Sequence, residues 1–238
     1  MIQLSILKIR GYGPWTLTLG SDREHELQVL QASVYGRLQR LFSERDCLVF
    51  PNRADEFFAV TNGLDMDGHR QILGSLDFDV SLSASIGTGS TPLEADRAAH
   101  RAGSSEAVSG TAGDADRACI MHLDVEDLTS RGQSRSPYEI TSDIFSLYHK
   151  MSRFFLRHDS LAFFMGGDNF MVVADDKAKK AAPEFLEYAQ KECGMRLNCG
   201  IGTGRTAREA ARLATESLDT IRKMRKSGNR PGIYELPC

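Results

Sequence analysis

Two aspartates in the second half of the chain stand where they could share a cation. Asp124 ends the apolar run ACIMHLD, and Asp168 sits in Gly166-Gly167-Asp168-Asn169 between LAFFM and FMVV. A hairpin turn there needs residues tolerant of positive φ, so on its own the Gly-Gly-Asp reads as good turn chemistry. If the run and the hairpin are neighbouring strands, however, the two carboxylates lie side by side and repel unless a cation separates them. Hard carboxylate oxygens favour Mg²⁺, which keeps several waters and completes its shell with substrate phosphates. The expected ligand is therefore a triphosphate, with the backbone carbonyl of Val125 as a third protein ligand to the metal. Gly166 and Gly167 let backbone approach the phosphates closely. Arg222 is the candidate cationic partner; its competing reading is a solvated face of the charged helix end running to Lys226.

The chain that must position these groups repeats itself. Residues 47–60, CLVFPNRADEFFAV, align with 160–173, SLAFFMGGDNFMVV, and 83–99 align with 197–214 through an identical IGTG. LSILKIR, ending at Arg10, aligns with ACIMHLD. Each copy reads as strand, helix, β-hairpin, helix, strand, helix: 2–9, 24–43, 46–61, 66–75, 80–86 and 91–102, then 119–125, 138–157, 160–174, 177–193, 195–201 and 206–226. A short strand at 232–236 follows. Thr91 to Glu94 and Thr206 to Glu209 fit a capping box that starts each last helix after an IGTG turn. The order βαββαβ, with helices on one face of the sheet, is ferredoxin-like, so the fold class is α+β in tandem. Residues 1–101 form the first copy, 102–118 a Gly-, Ser- and Ala-rich flexible linker, and 119–238 the second copy. In the first copy Arg53 and Ala54 replace the two glycines and Arg10 replaces Asp124, so that copy is expected to bind no magnesium.

Composition narrows the classes. At 238 residues and a net charge of -3, the chain can bury a core without staples and lacks the basic stripe of a duplex nucleic-acid binder. It has no apolar run long enough to span a bilayer and no signal-peptide pattern, so a cytoplasmic protein without a membrane partner is expected. Five cysteines without CxxC spacing read as reduced thiols. Phe163, Phe164 and Phe170 could stack on a base, but their place on hairpin strands favours core packing. His122 shares the strand face of Asp124 and is either structural or an aid to proton transfer.

With a strand aspartate, a GGD hairpin and an S/G-I-G segment before the last helix, the second half resembles the palm of GGDEF diguanylate cyclases. The whole chain resembles GTP cyclohydrolase III. This second likeness rests on Tyr12-Gly13-Pro14-Trp15-Thr16, Ala59-Val60-Thr61-Asn62-Gly63, the run from Phe163 through Gly166-Gly167-Asp168-Asn169 to Met171, and Gly200-Ile201-Gly202-Thr203-Gly204-Arg205-Thr206-Ala207. It implies a Mg²⁺-dependent opening of the GTP imidazole ring to 2-amino-5-formylamino-6-(5-phospho-ribosylamino)pyrimidin-4(3H)-one, with release of two phosphates. It further implies Asp124 and Asp168 as metal ligands, Gly166, Gly167 and Arg222 facing the triphosphate, and Asn169 and Asp127 near nucleotide or metal. The family's first strand has an aspartate where this chain has Arg10, which either lends positive charge to the triphosphate or caps the sheet. A homo-oligomer is expected. The competing enzymatic reading is a nucleotidyl cyclase or minimal polymerase that uses a ribose hydroxyl in place of water; the non-enzymatic one is a nucleotide sensor.

Overall fold

The computed structural model describes residues 1–103, 105–128 and 134–236. The chain divides into two compact units, one built from Met1–Ser90 and Glu94–Asp116, the other from Thr91–Leu93 and Arg117–Cys238. In the first, β1 (Ile2–Ile9) leads through a one-turn helix α1 (Tyr12–Thr16) and a 3-10 turn (Leu17–Leu19) to α2 (Arg23–Ser43). The hairpin β2 (Leu48–Arg53) and β3 (Glu56–Val60), α3 (Met66–Gly74), β4 (Leu82–Gly89), α4 (Pro92–Ala102) and β5 (Val108–Gly110) follow. The second unit repeats the order: β6 (Ala118–Val125), α5 (Pro137–Leu156), β7 (Leu161–Gly166), β8 (Asn169–Ala174), α6 (Asp176–Cys193), β9 (Leu197–Gly204), α7 (Ala207–Lys226) and β10 (Ile233–Glu235). The sheets have the same strand order, β2-β3-β1-β4-β5 and β7-β8-β6-β9-β10. The turn entering each hairpin holds a left-handed aspartate, Asp46 at φ 57° and Asp159 at φ 56°.

Three sequence expectations change here. First, helices cover both faces of each sheet, not one. On β6, Cys119, Met121, Leu123 and Val125 join the α5 and α6 core around Phe155 and Phe185. The intervening residues face α7, and so do Gly200 and Gly202 of β9. Second, IGTG is strand, not turn: it forms the ends of β4 and β9. Its glycines are required by packing, because a Cβ on Gly87 would lie 2.1 Å from the backbone nitrogen of Ala99, and one on Gly202 2.1 Å from the carbonyl oxygen of Ala210. Helix backbone rests directly on strand backbone. Third, the segment read as a flexible linker contains β5, paired in parallel with β4 from Ala84 to Ile86, and its Val108 is buried. Three residues carry too little apolar periodicity to be recognised as a strand, and β5 owes its place to the open edge of β4.

The capping pattern is present with a shift of one residue. The Thr206 hydroxyl accepts from the Glu209 N–H, while the Glu209 carboxylate accepts from the Arg205 N–H at 2.8 Å. The four described cysteines form no disulfide, and Cys238 lies outside the described residues. Burial pushes the Cys47 thiol up to about 12 and that of Cys119 to about 11, which leaves little reactive thiolate. Among the described residues no helix is long and apolar enough to cross a membrane.

The first unit is stiffened by a buried polar network. Gln3 Nε2 donates to the Thr61 and Leu64 carbonyls at 2.7 and 2.8 Å, and Ser5 Oγ lies 2.9 Å from Thr61 Oγ1 and 2.8 Å from His69 Nε2. His69 Nδ1 is 2.7 Å from the Asp65 carbonyl, so Nδ1 carries the proton and Nε2 accepts from Ser5. Burial holds His69 below its ordinary 6.5, outweighing the Asp65 carbonyl and carboxylate that favour the charged ring. The folded-state pKa is depressed, so the stability tied to neutral His69 is complete above 6.5 and is lost as pH falls from there through the folded value. Denaturant melts from about pH 7.5 to about pH 5 are expected to show a steeper loss for the native protein than for His69→Gln. Equal slopes would remove His69 from that account.

Candidate active site

Asp124 is the last residue but one of the central strand β6, paired with Asn169 on β8 and Asn198 on β9. Central placement buries it to 6 % exposure, and strand alternation turns it toward α7. There Arg222 Nη2 donates to Asp124 Oδ2 at 2.6 Å, while its Nη1 donates to Asp219 Oδ1 at 2.9 Å. The bond to Asp124 is the main reason the guanidinium is held above its usual range. The other carboxylate oxygen, Asp124 Oδ1, is buried and has no hydrogen-bond partner among the described residues. A buried carboxylate oxygen without a donor is costly, and a bound cation removes the cost.

The hairpin turn is fixed to the end of β6. Val125, one residue beyond Asp124, donates its N–H to the Asp168 carbonyl at 3.2 Å. Gly166 and Gly167 have φ values of 104° and 62°, and a Cβ at either would meet nothing within 4 Å. Backbone conformation therefore calls for glycine while the space beside the turn stays open. Asn169 Nδ2 donates to Asp168 Oδ1 at 2.7 Å. That bond aims Asn169 Oδ1 at His122 Nε2, 3.1 Å away, so Nε2 carries the His122 proton. In the neutral ring Nδ1 then lies 3.1 Å from the Thr215 hydroxyl, whose single proton is shared between Nδ1 and the Ala211 carbonyl at 3.0 Å, and burial favours the neutral ring by lowering its pKa. Both ring nitrogens are thereby engaged, and His122 acts on Asp168 through Asn169.

The side chains form two bonded groups, Asp124 with Arg222 and Asp168 with Asn169 and His122, linked by the pairing of Asp124 with Asn169 and the bond from Val125 N–H to the Asp168 carbonyl. Asp127 follows in a left-handed conformation at φ 59°, exposed, and lines a separate hollow of about 190 Å³ with Gln190 and Arg196. Arg10, in the first unit, is exposed and donates to the Ser105 carbonyl at 3.2 Å. Sequence reasoning missed Thr215 and Asp219, which lie on the α7 face of Arg222 at helical spacing. It also missed Glu126, whose carboxylate accepts from Arg225 at 2.5 Å. The available signal was the parallel step, two residues on from Asp124 just past the end of β6 and three residues on from Arg222 along α7.

The pairing register corrects one equivalence between the copies. Ile9 N–H donates to the Asp55 carbonyl just as Val125 N–H does to Asp168, and Lys8 pairs with Glu56 and Ser83 where Asp124 pairs with Asn169 and Asn198. Lys8, not Arg10, occupies the position of Asp124; the ungapped alignment slipped because the first strand is followed by a different loop. Asp55 pairs with Arg53 of its own hairpin at 3.2 Å. Among the described residues Arg53 and Ala54 are not at positive φ, so that turn follows another path.

Among the described residues no three His, Cys, Asp or Glu side chains converge on a metal position. Asp124, Asp168 and the Val125 carbonyl offer oxygen donors of the kind Mg²⁺ takes, with water and phosphate filling its other positions, and the unpartnered Asp124 Oδ1 suits such an ion.

Comparison with known proteins agrees over nearly the whole length. The family model for GTP cyclohydrolase III matches residues 2–231. GTP cyclohydrolase III of Methanothermobacter thermautotrophicus is 34% identical over 237 residues, covering 93% of this chain and 95% of the relative. The protein of that name from Natronomonas pharaonis is 34% identical over 242 residues, covering 93% and 95%, and that from Methanocaldococcus jannaschii is 31% identical over 242 residues, covering 93% and 88%. Among solved structures, the GGEEF domain of a diguanylate cyclase from Vibrio cholerae aligns with a TM-score of 0.41 at 13% identity, over 51% of this chain and 85% of that one. The guanylate cyclase domain of RhGC from Catenaria anguillulae, in complex with GTP, aligns with a TM-score of 0.37 at 13% identity, over 42% and 73%. With a family match of this extent and relatives of this identity, the chain belongs to the GTP cyclohydrolase III family of hydrolases.

Proposed function

We propose that the protein opens the imidazole ring of GTP by hydrolysis and releases two phosphates, with Mg²⁺ held by Asp124, Asp168 and the Val125 carbonyl. The observation that carries the metal reading is the buried, unpartnered Asp124 Oδ1 beside a glycine turn that leaves room for a ligand. When bound, Mg²⁺ supplies Lewis acidity toward phosphate oxygens and acidifies water. The residues do the positioning. Arg222, steadied by Asp124 and Asp219, presents its charge to the triphosphate. Asn169 fixes the orientation of the Asp168 carboxylate, and neutral His122, braced by Thr215, fixes Asn169. Gly166 and Gly167 admit the phosphates to within backbone reach.

The test is incubation of the purified protein with GTP and Mg²⁺, with products identified by mass and orthophosphate assayed in parallel. The expected products are the ring-opened monophosphate and orthophosphate. Diphosphate accompanied by a cyclic or dinucleotide product would overturn the reading.

A further inference from the structure

Each unit ends in a three-residue strand that pairs with only the middle of its neighbour, β5 against Ala84–Ile86 and β10 against Cys199–Ile201. The first bond of each pairing is also the same: Ala84 N–H to the Ala107 carbonyl and Cys199 N–H to the Gly232 carbonyl, both at 2.8 Å. Ahead of that bond the strand edge is left uncovered, and both units have a hollow there. The hollow of the first unit is about 550 Å³ and is lined by Leu73, Leu82 and Ala107; that of the second is about 390 Å³ and is lined by Leu186, Leu197 and Gly232. The cavity is therefore a product of the fold.

Its charge is not. The first hollow is bordered by one arginine and one aspartate, Arg70 and Asp79. The second is bordered by Arg196, Arg225 and Arg230. Glu126, only 9 % exposed, accepts from Arg225 at 2.5 Å and lies 3.7 Å from Arg196. One carboxylate against two guanidinium groups leaves the wall positive, and the other acid on the rim, Glu187, is bound to Lys191 at 2.5 Å. Each guanidinium has five N–H donors in a rigid fork; Glu126 fixes Arg225 by a hydrogen bond and draws Arg196 by a longer ion pair, leaving further donors unused by that carboxylate. Leu186, Leu197, Ile221 and Pro231 supply an apolar floor. A volume of this size with a few fixed polar groups suits a small organic ligand.

We propose that this cavity binds the phosphate group of a small molecule, at a site that adjoins the Asp124–Asp168 centre through Asn198 and Ile221 but includes neither aspartate. The proposal does not rest on the ring-opening reading, since none of Asp124, Asp168, Gly166 and Gly167 lines the cavity. The arginine forks take the phosphate oxygens, and a sugar or ring attached to the phosphate lies on the apolar floor.

The test is calorimetric titration of the full chain, free of GTP and Mg²⁺, with ribose 5-phosphate and separately with inorganic phosphate. Saturable binding of at least one probe is expected, about tenfold weaker in both Arg230→Gln and Arg196→Gln and unchanged in Asp168→Ala. Arg230 is exposed, so its replacement separates binding from folding. Tighter binding of ribose 5-phosphate identifies a phosphorylated organic ligand; equal or tighter binding of inorganic phosphate identifies the free ion. Binding of neither probe, equal affinity in the arginine variants, or loss of binding in Asp168→Ala would each overturn the proposal, the last by moving the anion to the candidate active site.

Discussion

Asp124→Asn is expected to lower GTP turnover by about a thousandfold or more while leaving the fold as stable as before, or more so. Asparagine matches the shape of aspartate and keeps an acceptor for Arg222, but it carries no charge with which to hold a cation. The native carboxylate is buried with one oxygen unpartnered, an arrangement that costs folding free energy. Arg222 retains Asp219 after the change and is itself partly exposed, so its loss of a charged partner is a small term, within about 1 kcal/mol. Loss of activity together with retained stability is the signature of a group kept for function and not for folding. Steady-state turnover and denaturant melts on the same preparation check this. A variant that keeps more than about a tenth of native turnover would remove Asp124 from the metal set, and one that unfolds would make its role structural.

The largest stability effect is expected from Gly202→Ala, at about 3 kcal/mol or more. A methyl there would lie 2.1 Å from the Ala210 carbonyl oxygen and 2.3 Å from the Ala214 nitrogen, both main-chain atoms of α7 that no side-chain rotation can move aside. Relief requires α7 to lift from β9, and α7 carries Thr215, Asp219 and Arg222, so turnover falls along with stability. Gly36→Ala is the matched control: Gly36 is exposed within α2, with nothing within 4 Å of a new Cβ. That change is expected to stabilise slightly, by about 0.5–1 kcal/mol, through the unfolded chain. Equal denaturation midpoints for Gly202→Ala and the native protein would show that the helix does not rest on the strand as described.

Much of this was readable before the structure because it depends on local rules. Apolar spacing placed the long helices and strands to within one or two residues, except for the two IGTG strands, which run three residues further than read, and self-comparison exposed the duplication. The pairing of a strand aspartate with a glycine-rich hairpin turn located the candidate site, because strand alternation and positive φ are properties of single residues and their immediate neighbours. What failed, failed for want of long-range contacts. IGTG looks like a turn by composition and is strand because a helix backbone lies against it. The strand Val108–Gly110 has no pattern of its own and forms on an edge supplied by β4. Arg10 aligned with Asp124 in an ungapped comparison, and only hydrogen-bond register shows Lys8 to be the equivalent.

The sequence alone, then, determined the tandem α+β architecture and the residue types of the candidate site. Which partners those residues have was decided by tertiary structure. Arg222 against Asp124, Thr215 behind His122 and Arg225 against Glu126 all join residues about a hundred positions apart, brought together when α7 packs on the glycine stripe of β9. Charge and hydrogen-bonding capacity belong to the side chain and can be read in one dimension. Whether a carboxylate oxygen is left buried without a donor depends on everything packed around it, and that is fixed only when the chain has folded.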